Sequence, residues 1–313
     1  MIPHSLARGL LLPVIAAPML LVSGPELVIA CCRAGVIGSV PGANARTPET
    51  LEAWLAQIDG ALTGTDAAAF ALNIIVREAG SERLAVELAL AGRYRVPLVI
   101  TSVGHPGAVV ERVHDYGGLV LHDVATMRHA EKAIAADVDG LILLTAGAGG
   151  HTGSANAFAF VRQVRAMWDG LIILAGGIGD GHAIRAAQVL GADFAYMGTR
   201  FAATRESMAV PAYKDLLVSQ GMADILVTDR ISGLPATFMR GSILAAGLDP
   251  EALPPPAARF RPDLPEGIKA WRDVWSAGHG VGLIHDIPPA AELVERLRAE
   301  YRAAAADSLP VRG

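Results

Sequence analysis

A closed (β/α)₈ barrel with a C-terminal extension over its mouth is the fold class this chain predicts, and three observations predict it. Eight short apolar runs recur, each followed by a loop and a helix-like pattern. The runs start 21 to 34 residues apart, the spacing of a repeated βα unit. They read as continuous apolar stretches, as parallel strands do when helices cover one side and the core the other. Eight such units favour closure over a doubly wound sheet, which more often shows about five or six strands.

The strands are expected at 14–17, 36–39, 70–74, 98–101, 119–121, 140–144, 171–175 and 194–197. Between the first two, 25–34 is apolar along its length, as a helix covering a barrel is. Thr47-Pro48-Glu49 opens the next helix, with Thr as cap and Pro in the first turn. Leu51, Trp54, Leu55 and Ile58 continue it at helical spacing. Further helices are expected over 81–91, 126–136, 180–190 and 207–219; Ala183, Ala187 and Leu190 share a face of the third. The rhythm breaks at 221–287, which holds turns, the run Pro254-Pro255-Pro256 and polar clusters. The chain thus divides into a barrel core over 1–220, a covering, substrate-side extension over 221–288, and a helix over 289–306. That helix carries Leu293, Leu297 and Tyr301 on one stripe and is expected to return to the barrel wall. The tail from Asp307 is expected to fray.

Composition narrows the class. Of 313 residues, 52% are hydrophobic and 18% charged, enough to bury one large core. Only 5% are aromatic, which leaves Val, Ile, Leu and Ala to fill the barrel in layers. The formal charge is −5 and the 26 Lys and Arg form no dense patch, which argues against nucleic acid as a partner. Cys31 and Cys32 are adjacent, without the spacing of a metal knuckle or redox pair. That fits a structural role in a reducing, cytoplasmic compartment. The first residues carry one Arg and reach Pro13 quickly, so they read as a helix or loop entering a strand and not as a secretion signal. No run approaches about 18 clean apolar residues, so no membrane span is expected. The Ala-rich helices and the apolar extension would allow a homodimer.

Function in such a barrel collects at the carboxyl ends of the strands. The richest loop there is Thr145-Ala146-Gly147-Ala148-Gly149-Gly150-His151-Thr152-Gly153-Ser154, after the sixth strand. Its glycines let backbone lie beside a planar or phosphorylated ligand, and an imidazole near neutral pKa can exchange a proton with substrate. His151 is therefore the catalytic candidate; the alternative is a helix-capping loop with a structural histidine. Ala175-Gly176-Gly177-Ile178-Gly179 and Gly198-Thr199-Arg200-Phe201 follow strands seven and eight, where barrels often hold phosphate on backbone N–H groups. Thr199 could add a hydroxyl donor, while Arg200 suits either a phosphate or a salt bridge at the rim. Ala17-Pro18-Met19 places a polarizable side chain at the mouth, for a ring system or for plain core packing. Asn73 interrupts an apolar run, and a buried amide must be paired. His105 lies just beyond strand four and His122-Asp123 after strand five; both histidines are substrate-pocket candidates, and Asp123 is placed to cap the next helix.

Several chemistries are disfavoured. The chain has no His-x-His or His-Glu-x-x-His pair, so no metal site is expected. It also lacks a Gly-x-x-x-x-Gly-Lys-Ser/Thr motif and an early Gly-x-Gly-x-x-Gly, which argues against an ATPase and a Rossmann domain.

Taken in order, Ala16-Ala17-Pro18-Met19, Ala148-Gly149-Gly150-His151, Ala175-Gly176-Gly177-Ile178 and Met197-Gly198-Thr199-Arg200-Phe201 resemble the nitronate monooxygenase family, formerly the 2-nitropropane dioxygenases. The resemblance runs through about residues 10–220 and continues more loosely into the stretch from Trp275 to Gly282. It implies a TIM barrel that binds FMN, with Gly176, Gly177, Gly198 and Thr199 at its phosphate. By the same resemblance Ala17, Met19, Asn73, Gly149 and Gly150 would lie along the flavin, with His151 as the base. The implied reaction oxidises alkyl nitronates or nitroalkanes with molecular oxygen to carbonyl products, without a need for NAD(P)H. Relatives on this barrel include enoyl and quinone reductases, so an FMN-dependent NAD(P)H reductase is the alternative. A phosphosugar-type barrel and a non-catalytic binding barrel are more distant ones. Two departures stand out in loop six: Leu144 and Gly147 occupy positions where many members have Gln and Glu. His279 stands where related chains often have Gln, either facing flavin or substrate or serving the loop's structure.

Overall fold

All eight expected strands form, and they close on themselves in a computed structural model that describes residues 2–76, 80–258 and 262–306. They are β1 (Val14–Ala16), β2 (Ile37–Pro41), β3 (Phe70–Ile75), β4 (Leu98–Ser102), β5 (Leu119–Val124), β6 (Gly140–Leu144), β7 (Leu171–Ala175) and β8 (Phe194–Met197). Each pairs in parallel with the next, and β8 returns to β1 with Ile15 opposite Tyr196.

Alternation along the strands sorts the side chains. One set, including Ile15, Ile37, Ile100, Leu121, Ile142 and Ile173, is buried together inside the barrel. Leu6, on the short helix His4–Ala7, is buried in the same cluster. The other set, with Leu72, Val99, Val120, Leu141 and Ile172, packs outward against the helices. Full burial of each such side chain contributes about 1.5–3 kcal/mol. Cys32 joins that outer layer and Cys31 packs with β1 and the last helix. Burial raises both thiols, Cys32 to about 12, which leaves them unreactive.

The capping residues act as their sequence context requires. Thr47 accepts from the Thr50 amide ahead of Pro48–Leu62, Ser81 from Leu84 ahead of Glu82–Arg93, and Asp180 from Ala183 ahead of Gly181–Leu190. One expectation is corrected. Strand β5 runs on to Val124, so Asp123 lies within it and caps nothing; Thr126 accepts from His129 N instead, at 3.2 Å. The helix expected from 207 starts at Pro211, a residue suited to a first turn.

The segment after that helix holds more regular structure than its turns suggested. Ile225–Thr228 and Ala236–Met239 pair antiparallel, and the second strand also pairs with the two-residue strand Gly150–His151. Ile231, Phe238, Ile243 and Val274 give this layer its own small core. The last helix, Ala290–Ala306, packs on Gly181–Leu190 and Pro25–Arg33 through Leu293, Val294 and Leu297. Gly181 permits the close crossing, because a side chain there would run into the backbone of Leu297 and Tyr301. The tail expected to fray from Asp307 lies outside the described residues. Among the described residues, no helix is long and apolar enough to cross a membrane.

Candidate active site

The carboxyl ends of the strands surround a cleft of about 270 Å³. Its walls follow from the alternation that fills the barrel: one step further along each strand, the inward positions become Asn73, Ser102, Asp123, Leu144, Ala175 and Tyr196. The loops after β1, β6, β7 and β8 add Ala17, Met19, Gly147 to His151, Gly176, Gly177, Gly198 and Thr199. Trp271, Ser276, Gly278 and Gly280 complete the cleft from the C-terminal segment.

Glycine is needed where these loops interlock. Gly176 and Gly177 have φ of +133° and +69°, and a side chain on Gly176 would meet the Thr145 hydroxyl. Gly177 opens onto empty space, while a Cβ on Gly198 would face only Ala17 and Met19, each 3.6 Å away. The Gly147 carbonyl accepts from Gly177 N at 3.3 Å and from His279 N at 2.9 Å. Thr199 Oγ1 accepts from Gly278 N at 2.9 Å, which leaves its hydroxyl proton free to serve as a donor. Loops six, seven and eight are thereby sewn to the C-terminal segment.

His151 sits on the short strand Gly150–His151, paired with Ala236 and Thr237. Gly150 N donates to Ser276 Oγ at 2.7 Å, and Thr237 Oγ1 donates to the Ala148 carbonyl at 3.0 Å. The Trp271 ring meets the imidazole edge-on, at 5.4 Å between centroids and 87° between planes. Trp271 holds φ at +70°, a costly backbone for an aromatic residue and a recurrent feature of ligand sites. A side chain on a paired strand with a packed ring is held more firmly than one on a free loop. The following helix, Ala157–Met167, is capped by Asn156, so the glycine loop is not its cap.

The other expected site residues separate. Asn73 lines the cleft, and its amide nitrogen already donates to the Ile100 carbonyl at 3.1 Å and to Ser102 Oγ at 3.2 Å. His122 points to the outer side of β5, bonded through Nδ1 to Thr101 Oγ1 at 2.8 Å, and is not among the cleft residues. Burial, with His105 and His129 nearby, lowers its pKa to about 4. His105 is exposed in a turn, where its Nδ1 accepts from Gly107 N at 3.2 Å. The His279 ring packs against Gly147, and its neighbours Gly278 and Gly280 line the cleft in its place. Arg200 makes the rim salt bridge: its Nη2 lies 2.6 Å from Asp286 Oδ1, and Asp286 also binds Arg296 of the last helix.

Ser102, Tyr196, Trp271 and Ser276 belong to the cleft without having been singled out in the sequence, and Asp123, expected as a helix cap, joins them. Asp123 had a usable signal, since it lies two residues after the inward Leu121 on the same strand. Among the described residues, no group of three or more His, Cys, Asp and Glu side chains is placed to hold a metal ion.

A glycine-lined cleft at the carboxyl mouth of a (β/α)₈ barrel, with an imidazole fixed on a strand at its edge, has the placement and chemistry of a barrel enzyme's active site. Over residues 6–300 the chain matches the family described as Nitronate monooxygenase, and it belongs to that family. It is 27% identical to the Nitronate monooxygenase of Paraburkholderia phytofirmans, over 93% of this chain and 92% of that protein. It shares 29% identity with the (3aS,4S,5R,7aS)-5-hydroxy-7a-methyl-1-oxo-octahydro-1H-indene-4-carboxyl-CoA dehydrogenase of Mycobacterium tuberculosis. That match takes in 74% of this chain but 64% of the dehydrogenase, less than two thirds of its length. The fold superposes on the nitroalkane oxidase from Streptomyces ansochromogenes with a TM-score of 0.81 at 26% identity, covering 96% of this chain and 99% of that one.

Proposed function

We propose that the protein is an FMN-dependent nitronate monooxygenase, which oxidises alkyl nitronates or nitroalkanes with molecular oxygen to carbonyl products. The observation that carries this reading is the meeting, in one cleft, of the glycine loops after β7 and β8 with His151 on its paired strand.

The residues present fit FMN. Side chains at Gly177 and Gly198 would occupy the space a phosphoryl group needs, and the turn beginning at Thr199 offers N–H groups without intrahelical acceptors. The free hydroxyl proton of Thr199 adds a further donor. Ala17, Met19, Leu144 and Ala175 give an apolar surface on which a planar ring can lie. When bound, FMN supplies the electron acceptor for the substrate and the route by which those electrons reach oxygen.

The chain's own part is positional and protonic. With a neutral nitroalkane, His151 removes the α-proton as general base. With a preformed nitronate there is no such proton to remove, and the imidazole serves to bind the anion. Trp271 fixes the plane of the imidazole and walls that side of the cleft, which favours a small organic substrate. Leu144 leaves the ring side of loop six apolar, and Gly147 leaves it without an acidic neighbour for His151. NAD(P)H is not needed, because the substrate itself supplies the electrons. An oxygen electrode tests this: propyl-1-nitronate alone should drive oxygen uptake and aldehyde formation by the FMN-loaded protein. Uptake that requires NADH and ignores the nitronate would assign the protein to the reductases instead.

A further inference from the structure

The steps above leave the carboxyl group of the cleft without a task. Asp123 projects from the inner wall of β5 into the cleft, and among the described residues lining it this is the one carboxyl group. Its Oδ1 is shut off from solvent and has no hydrogen-bond partner. Leaving a buried acceptor unpaired is costly, and such atoms in a native cleft commonly mark the place of a missing ligand. None of its neighbours in the wall, Ser102, Leu144 and Tyr196, donates to that oxygen.

We propose that Asp123 is a substrate-recognition residue, which presents its carboxyl group from the barrel wall to an oxyanion of the bound molecule. The proposal deepens the reading of this cleft as a nitronate site and rests on it. Burial raises the Asp123 pKa to about 7. Below that pH the carboxyl keeps its proton and donates a hydrogen bond to an anionic oxygen. Once ionised, it places a negative charge in the same low-dielectric cleft and repels the anion. One side chain thereby admits an oxyanion in its neutral form and excludes it in its charged form.

The other titratable groups facing the cleft do not compete for this role. Burial raises Tyr196 and Tyr213, so both phenols stay neutral. Arg200 is committed to Asp286, and His122, on the far side of β5, is held neutral by its low pKa. His151 is the other cleft side chain of a type that changes charge between about pH 5 and 8.

Nitrate, an unreactive planar oxyanion, is a suitable probe. Its Kd would be read from the perturbed flavin spectrum of the FMN-loaded protein between pH 5.5 and pH 8.5. Wild-type Kd should rise with pH, and above about 7 the Asp123 contribution alone should reach about tenfold per pH unit. Asp123→Asn and Asp123→Ser, which cannot ionise, should bind FMN and show a shallower slope than wild type. The same pH slope in wild type and both variants, or no nitrate binding by the FMN-loaded wild type, overturns the proposal. Failure of FMN to bind at all would instead remove the flavin reading on which it stands.

Discussion

The imidazole of His279 lies where a side chain on Gly147 would begin: a Cβ there would sit 2.7 Å from Nδ1 and 2.9 Å from Cγ. Gly147 also holds φ at +87°, and its carbonyl accepts the His279 amide. Gly147 and His279 are therefore a single steric unit.

Gly147→Ala should destabilise the fold by about 1–2 kcal/mol through its left-handed backbone, and by about 1–3 kcal/mol more through overlap with the His279 ring. Adding His279→Ala should recover the second part and none of the first. Denaturant unfolding of the two single variants and the double variant measures the coupling.

His151→Ala should retain FMN and slow the oxidation of neutral nitroalkanes by about 10²–10⁴-fold, the usual contribution of a positioned general base. Turnover of preformed nitronates should fall less, because no α-proton is left to remove. Steady-state rates on nitroethane and on its nitronate, compared in one buffer, separate the two effects. Equal losses on both would remove His151 from the role of base.

Gly198→Val tests the phosphate cradle without disturbing the barrel. Gly198 has a negative φ, and the nearest neighbours of an added Cβ stand at ordinary contact distance, so the apo protein should keep its melting temperature. FMN affinity, followed by fluorescence quenching, should fall by about tenfold or more, the equivalent of about 1.4 kcal/mol. Undiminished affinity would place the phosphate elsewhere.

Stability should carry a mark of Asp123 as well. With its folded pKa raised to about 7, the native state keeps a proton that the unfolded chain gives up near pH 4. The contribution of this group is fully present below about pH 4 and is lost as pH rises toward 7, by at most about 1.4 kcal/mol per pH unit. Asp123→Asn should flatten that part of the profile, as seen in thermal melts of the apo protein from pH 4 to pH 8.

The barrel was legible because each parallel strand is buried on both faces, so Val14, Leu98 and Leu171 each open an apolar run whose spacing reports the repeat. Helix starts were legible for a local reason, since Thr47 and Asp180 act on amides three residues away. Loops seven and eight could be read from glycine alone. The fate of the histidines could not, because whether His122 faces the cleft or the helices depends on strand register, and β5 extends further than its apolar core. The same shift moved Asp123 from an expected cap to the cleft wall. Trp271 and Ser276 reach the cleft through long-range pairing of Ala236–Met239 with Gly150–His151, which no local pattern announces.

A flavin site in the cleft at the strand ends, beside His151, is read by titrating the purified protein with FMN and following its visible absorption. The expected result is uptake of one FMN per chain with resolved, shifted flavin bands, retained in His151→Ala and weakened in Gly198→Val. A protein whose added FMN keeps the spectrum of the free cofactor would contradict it.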